Sequence, residues 1–302
     1  MMGIQFDPCL AVRDDHEDLI EIWNLSFNDS LASIKSFLKF MAQDDLTVVC
    51  HEDGRTVAAA YLIPCRLNVH GKECSAMYLY AAATHPDYRR RGYMSKIISY
   101  SKMVAEERGA DFLFISPGRQ ELYKYCSKFG FRPCFYQKTV EMSREKLQSL
   151  QNRLISEEEK RGGEPLESGS GDVTADLAFV RRYGYKGNDF VEWDDRSLKY
   201  IFFKHHLSGG SAVLLKDGYA LYKVENGTAE VKEICALLDY SGVLERLLQT
   251  EAENFVFTVP VRHLVNGQKT ATGRTGMGIA LTRRGKDAQM QMKDAYIGFA
   301  LG

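Results

Sequence analysis

The sequence predicts an α/β (α+β) protein, with a mixed, mostly antiparallel sheet flanked by helices. Three observations lead there. Two amphipathic helical stretches precede three consecutive strand-like runs, and turn-forming residues join those runs. A short, wholly apolar run, Phe112-Leu113-Phe114-Ile115, then follows a further helix, as a strand at the centre of a sheet does. A chain of 302 residues is long for one domain and comfortable for two.

Residues 10 to 13 read as an opening strand. Asp14-Asp15-His16-Glu17 supplies first-turn acids and capping side chains, after which Leu19, Ile20, Ile22, Trp23 and Phe27 recur at helical spacing. Ser30 to Met41 repeats the signal with Leu31, Ile34, Phe37, Leu38 and Met41. Leu46 to Cys50, Thr56 to Leu67 and Cys74 to Thr84 read as strands, joined by Glu52-Asp53-Gly54-Arg55 and His70-Gly71-Lys72, both with hairpin chemistry. A helix from Ser95 to Glu107 leads to the apolar run at 112–115, which Ser116-Pro117-Gly118 stops.

From 143 to 161 the chain is charged and glutamine-rich, and Gly162 to Gly171 has the composition of a flexible linker. Beyond it, Ser197 to His206 reads as a helix. Gly218 to Val224 and Thr228 to Leu237 read as a hairpin around Glu225-Asn226-Gly227, Val243 to Glu253 as a helix, and Phe255 to Val261 as a strand.

Composition excludes several function classes. The chain is 45% hydrophobic and 26% charged, as an ordinary globular protein is. Its 39 Lys and Arg against 40 Asp and Glu create no field that favours nucleic acid or an anionic membrane. The seven cysteines, at 9, 50, 65, 74, 126, 134 and 235, are scattered and include no C-x-x-C pair. That argues for reduced thiols in a cytoplasmic protein, with no disulfide framework and no metal site. The start, Met1 to Pro8, lacks a basic region with an apolar run, and no stretch reaches about 18 uninterrupted apolar residues, so secretion and membrane spanning are not expected.

The most informative segment is Arg89-Arg90-Arg91-Gly92-Tyr93-Met94, between the strand that ends at Thr84 and the helix that follows. The first N–H groups of a helix have no intrahelical partner and carry the positive end of its macrodipole, so a strand turning through glycine into a helix is an anion site. Glycine lets the backbone approach a phosphate closely, and arginines add charge-assisted hydrogen bonds. A dinucleotide-binding dehydrogenase is a poorer fit, since its G-x-G-x-x-G turn needs glycines that this one lacks.

With its lead-in Thr84-His85-Pro86-Asp87-Tyr88, this segment resembles the acyl-CoA-binding motif of the GNAT N-acetyltransferase superfamily. Arg89 and Gly92 match that motif, whereas Met94 stands where the family prefers a small residue. Glu121 to Phe131 resembles the family's next helix, which ends in a Gly-Phe pair, here Gly130-Phe131. The two segments follow in the family's order.

The resemblance implies direct transfer of an acetyl group from acetyl-CoA to an amine, small-molecule or peptide, with no metal and no covalent enzyme intermediate. It places the cofactor against Ala83, Thr84, Arg89, Arg90, Arg91, Gly92, Tyr93, Met94 and Ser95. Arg119 stands where the family often has an asparagine, and Cys126 where it commonly has the tyrosine that returns a proton to the CoA thiolate. That proton is then the task of the Cys126 thiol, or of Tyr123 or Tyr125 from an adjacent position. Tyr78 and Tyr80 read equally as sheet packing or as lining of an acceptor pocket. His85 reads as a loop residue or a base, and His205-His206 as a surface helix end. Three segments are expected: a GNAT domain over 1–140, a charged helix and flexible linker over 141–175, and over 176–302 a degenerate GNAT-like domain or an unrelated α+β domain. The departures at Met94, Arg119 and Cys126 leave open a non-catalytic acyl-CoA sensor or an interaction protein.

Overall fold

The computed structural model describes residues 7–27, 29–160, 176–263 and 269–300. The start of the chain and the expected flexible linker at 162–171 lie outside them. The chain divides into two compact units, and neither is one continuous stretch. The first comprises Met1–Leu67, Lys72–Cys134 and Thr275–Lys293, and the second Asn68–Gly71, Phe135–Arg274 and Asp294–Gly302.

The first unit opens with a short strand β1 (Cys9–Leu10), then α1 (His16–Phe27) and α2 (Leu31–Phe40). The strand expected over 10–13 stops at Leu10 because Arg13–Asp15 forms a 3-10 turn, fixed by the Asp15 carboxylate accepting the Val12 N–H at 2.7 Å. Ser30 caps α2, its hydroxyl accepting the Ser33 N–H. Strands β2 (Thr47–Glu52), β3 (Arg55–Val69) and β4 (Lys72–Thr84) follow as expected, with Asp53-Gly54 and His70-Gly71 both left-handed in the turns between them. After β4 come α3 (Tyr93–Glu107), β5 (Phe112–Ile115) and α4 (Gln120–Ser127).

Strand β1 pairs antiparallel with β2, and β2 with β3. Strand β5 lies parallel to β4, and its other edge is covered by Met277–Ala280 of β12 (Lys269–Ala280), antiparallel. Helix α9 (Arg283–Gln291) follows, its cap residue Thr282 donating to Asp111 at 2.6 Å. Glycine is required at 285, where a Cβ would stand 1.9 Å from the Asp111 carbonyl oxygen. One apolar cluster joins α3 and α4 to the sheet through Met77, Leu79, Ile97, Val104, Leu113, Tyr123 and Cys126. An aromatic cluster of Trp23, Phe37, Tyr61 and Tyr80 packs α1 and α2 against β3 and β4.

The second unit repeats this plan with different sequence. Strands β8 (Ser211–Leu214), β9 (Gly218–Glu225) and β10 (Thr228–Ala236) form an antiparallel set. Helix α8 (Ser241–Leu248) then leads to β11 (Asn254–Val259), parallel to β10, and β6 (Arg132–Ser143) pairs antiparallel with the far edge of β11 through Lys138–Ser143. Helices α5 (Arg144–Lys160), α6 (Leu177–Gly184) and α7 (Asp195–Leu207) and the short β7 (Phe190–Glu192) complete it. Helix α8 ends at Leu248, before the expected Glu253, because the Arg144 guanidinium takes the carbonyls of Leu248, Thr250 and Ala252. The closing segment Asp294–Phe299 forms single bridges, Ala295 with Phe135 and Tyr296 with Phe190, and no full strand.

These ladders replace the contiguous division at 140 and 175. Each unit needs an antiparallel strand against the open edge of its parallel pair, and takes it from a distant part of the chain.

In the second unit Arg181, 1% exposed, is the most enclosed charge. Its guanidinium donates to Glu233 Oε1 at 2.8 Å and to the carbonyls of Val191 and Ile297. Glu233 also accepts from the Tyr219 hydroxyl and the Phe299 N–H. Because a buried pair broken on one side leaves an uncompensated charge, Arg181→Met is expected to lower stability by about 3–5 kcal/mol, read by urea denaturation.

Candidate functional site

The site begins where the β4–β5 ladder ends. The parallel pairing covers Ala76–Tyr78 against Phe112–Phe114, yet β4 continues to Thr84. Ala81 sits in the left-handed region at φ 47°, uncommon for a residue with a side chain, and re-aims the strand just past the last pair. Ala83 and Thr84 lie beyond the last pair with β5, and the Thr84 carbonyl accepts from Arg89 Nε at 3.1 Å.

Pro86–Tyr88 forms one 3-10 turn, and Gly92 then opens α3 with φ 91°. No side chain caps this terminus and its first turn holds no acidic residue. A Cβ at Gly92 would meet nothing within 4 Å, so the space before the helix is open. Ser95 and Lys96 donate their N–H groups back to the Gly92 carbonyl, which leaves those of Tyr93 and Met94 pointing out of the helix.

The three arginines do different work. Arg89 is tied to Thr84. Arg91 pairs with Glu52 at 3.1 Å, donates to the Asp87 carbonyl at 3.0 Å and lies 5.0 Å from the Tyr88 ring centroid. Arg90, itself left-handed at φ 64° and exposed, makes no hydrogen bond or ion pair among the described residues. Glu52, which sequence reading treated only as a turn residue, also accepts from the Tyr93 hydroxyl at 2.6 Å. Burial and this carboxylate push the Tyr93 phenol up to about 12. One carboxylate on β2 thus fixes both residues that flank Gly92.

The three candidates for the proton separate clearly. Cys126 is 3% exposed inside the apolar cluster, and burial pushes its thiol up to about 11. Tyr123 is buried in the same cluster. Tyr125 is half-buried, its ring edge-on to Phe129 and its hydroxyl 3.0 Å from Ser95 Oγ in the first turn of α3. The structure thus brings Tyr125 to the turn and gives Cys126 and Tyr123 to the core. Arg119 is the exposed N-cap of α4, with no side-chain bond among the described residues.

His85 is not arranged as a base. Its Nδ1 accepts the Asp87 N–H at 3.3 Å, which leaves the ring proton on Nε2, 3.5 Å from Glu21. Tyr78 stacks on Phe114 at 4.9 Å and Tyr80 belongs to the aromatic cluster, so both are packing residues. His205 is buried, with Nε2 near the Ser211 and Tyr222 carbonyls, which corrects the reading of it as a surface residue. Among the described residues no group of three or more His, Cys, Asp or Glu is arranged to hold a metal.

Residues 10–134 match the model of the acetyltransferase (GNAT) domain, and this part of the chain is a GNAT domain. The whole chain has the fold of larger members of that group. A GCN5-related N-acetyltransferase from Kribbella flavida superposes with a TM-score of 0.66 at 14% identity, over 92% of this chain and 72% of its own. A GCN5-related N-acetyltransferase from Anabaena variabilis ATCC 29413 gives 0.65 at 13% identity, over 92% and 73%. Eis1 from Mycobacterium abscessus gives 0.65 at 14%, over 92% and 74%. No curated protein matches the chain in sequence. Among the described residues no helix is long and apolar enough to cross a membrane.

Because Gly92 has φ 91° and an open front, Gly92→Ala is expected to fold without a clash yet lose about 1–2 kcal/mol from the left-handed backbone alone. Urea denaturation of the ligand-free protein checks this.

Proposed function

We propose that the first unit transfers an acetyl group from acetyl-CoA directly to an amine of a small-molecule or peptide acceptor. The observation that carries this reading is the uncapped, left-handed entry to α3 at Gly92, set beside a strand that has just left its ladder. A pyrophosphate suits the N–H groups from Arg90 to Met94, with the exposed Arg90 guanidinium as a counter-charge and Arg119 as a second. The backbone of Ala83 and Thr84 suits the amides of a pantetheine arm. Arg89, Arg91, Tyr93 and Met94 shape the turn, the first three through their contacts with Thr84 and Glu52.

In this reading a neutral amine attacks the thioester carbonyl, backbone N–H groups polarise it, and the CoA thiolate leaves with a proton. Tyr125 supplies that proton. Its hydroxyl is next to Ser95, whereas the Cys126 sulfur is enclosed by apolar side chains. The seven free cysteines suit a reducing cytoplasm.

Thermal unfolding tests the cofactor. Acetyl-CoA at about 100 times its dissociation constant is expected to add roughly 2.7 kcal/mol, an effect that Gly92→Glu abolishes. Absence of stabilisation in folded, ligand-free protein overturns the reading. Against a panel of amines, Tyr125→Phe is expected to lower kcat by about 10²–10⁴ and keep the thermal shift, and Cys126→Ala to leave kcat near wild type. Cofactor binding without turnover of any amine, in a protein that lacks the family's tyrosine at 126, identifies a sensor instead.

A further inference from the structure

A second chemical constellation lies in the first unit, on residues that the acyl-CoA reading does not use. Cys9 is on β1 opposite Val49, and His51 is two residues further along β2. A register shift in the β2–β3 ladder between Cys50 and His51 breaks the alternation of side chains there. The Cys9 sulfur stands 3.7 Å from His51 Nδ1, and His51 Nε2 stands 2.6 Å from Asp15 Oδ1. Asp15 is held in turn by the Thr56 hydroxyl on Oδ1 at 2.5 Å and by the Val12 N–H on Oδ2 at 2.7 Å.

The roles follow from the bonds. Burial opposes the charge on Asp15, but the hydrogen bonds from Thr56, Val12 and His51 outweigh it and hold the carboxyl below its ordinary range. An ionised carboxylate only accepts, so His51 carries a proton on Nε2, and its neutral form presents the Nδ1 lone pair to the sulfur. The side chain of Asp15 is 5% exposed and that of His51 34%. A fixed acid thus orients a base that reaches solvent. The Cys9 thiol is pushed up, first by burial and then by the Asp15 charge, so sulfur holds its proton at rest. This is nucleophile, base and orienting acid in sequence.

We infer that Cys9, His51 and Asp15 form a nucleophilic triad that accepts an acyl group on sulfur from a small acyl thioester. The Cys9 proton passes to His51 Nδ1 as sulfur attacks the acyl carbon. A new C–S bond forms, the donor's C–S bond breaks, and the departing thiolate takes the proton from His51. The products are S-acyl-Cys9 and a free thiol. The site is distinct from the Gly92 turn and does not depend on the proposal made for that turn.

The test is acetylation of the intact protein by S-acetyl-N-acetylcysteamine, a thioester without a nucleotide, followed by peptide mass spectrometry. Cys65, also half-buried and outside any disulfide, is the internal reference. Cys9 is expected to react about 100-fold faster than Cys65, a ratio typical of base assistance. His51→Ala is expected to remove that advantage and added imidazole to restore part of it, which a purely structural His51 would not show. Equal rates at Cys9 and Cys65 in the wild type overturn the proposal even where His51→Ala does not fold. An advantage that survives His51→Ala in folded protein overturns it as well. Gly92→Glu is expected to leave the Cys9 rate unchanged, so loss of acetyl-CoA binding and loss of the triad are separate results.

Discussion

The candidate site depends on a parallel pairing that stops early. Strand β4 holds β5 over three residue pairs and then runs on for six residues beyond its last partner, Tyr78. A strand with one unpaired edge inside a folded unit presents a row of N–H and C=O groups that need partners. In the proposed reading an extended amide-containing ligand provides them. The left-handed Ala81, the 3-10 turn at Pro86 and the left-handed Gly92 then carry the chain from that edge to the start of α3 within a dozen residues. Positive charge and the uncapped start of α3 thus fall close in sequence to the end of β4.

The charge at that end is more selective than a run of three arginines suggests. An arginine held by a carboxylate has lost much of its attraction for a phosphate, and Glu52 holds Arg91 with two hydrogen bonds. What Glu52 gains for the site is shape, because it fixes the residues on both sides of Gly92. The unengaged cation is Arg90. Its backbone is left-handed and its side chain is exposed.

The local features of the fold were legible because local chemistry sets them. Asp53-Gly54, His70-Gly71 and Asn226-Gly227 are left-handed pairs, and each turn announced its hairpin. Helices α1 and α2 followed from the spacing of their apolar residues. The strands that complete each parallel pair were not legible, because the partner of an open edge is chosen by the rest of the fold. Asp111 and Thr282 are 171 positions apart and nothing near either residue marks them as partners. At the site, the glycine turn was readable as a motif. The allocation of Tyr123, Tyr125 and Cys126 was not, since a helix of eight residues turns each to a different neighbour and only the packed cluster decides which are enclosed. Glu52 carried no signal at all, because a carboxylate beside a hairpin turn is ordinary.

The second unit shows what the same plan becomes when its helix terminus is closed. Strand β10 also pairs in parallel with β11 over a short stretch, ending at Val231 with Phe257, and a register shift follows directly, between Val231 and Glu233. Beyond that point the second unit is closed by its own polar groups. The Tyr185 hydroxyl takes the Ile234 carbonyl at 2.9 Å, Glu233 takes the Phe299 N–H, and Arg181 neutralises Glu233. The helix that follows, α8, starts at Ser241, and its first N–H is bound at 2.6 Å by the Asp239 carboxylate. Its N-cap, Tyr240, has φ −98° where Gly92 has 91°. An internal anion therefore holds the position a phosphate would need, and a second anion would meet like charge there. The α8 terminus is occupied by the Asp239 carboxylate and the α3 terminus at Gly92 has no side-chain cap, and that is the difference between the two units on this point.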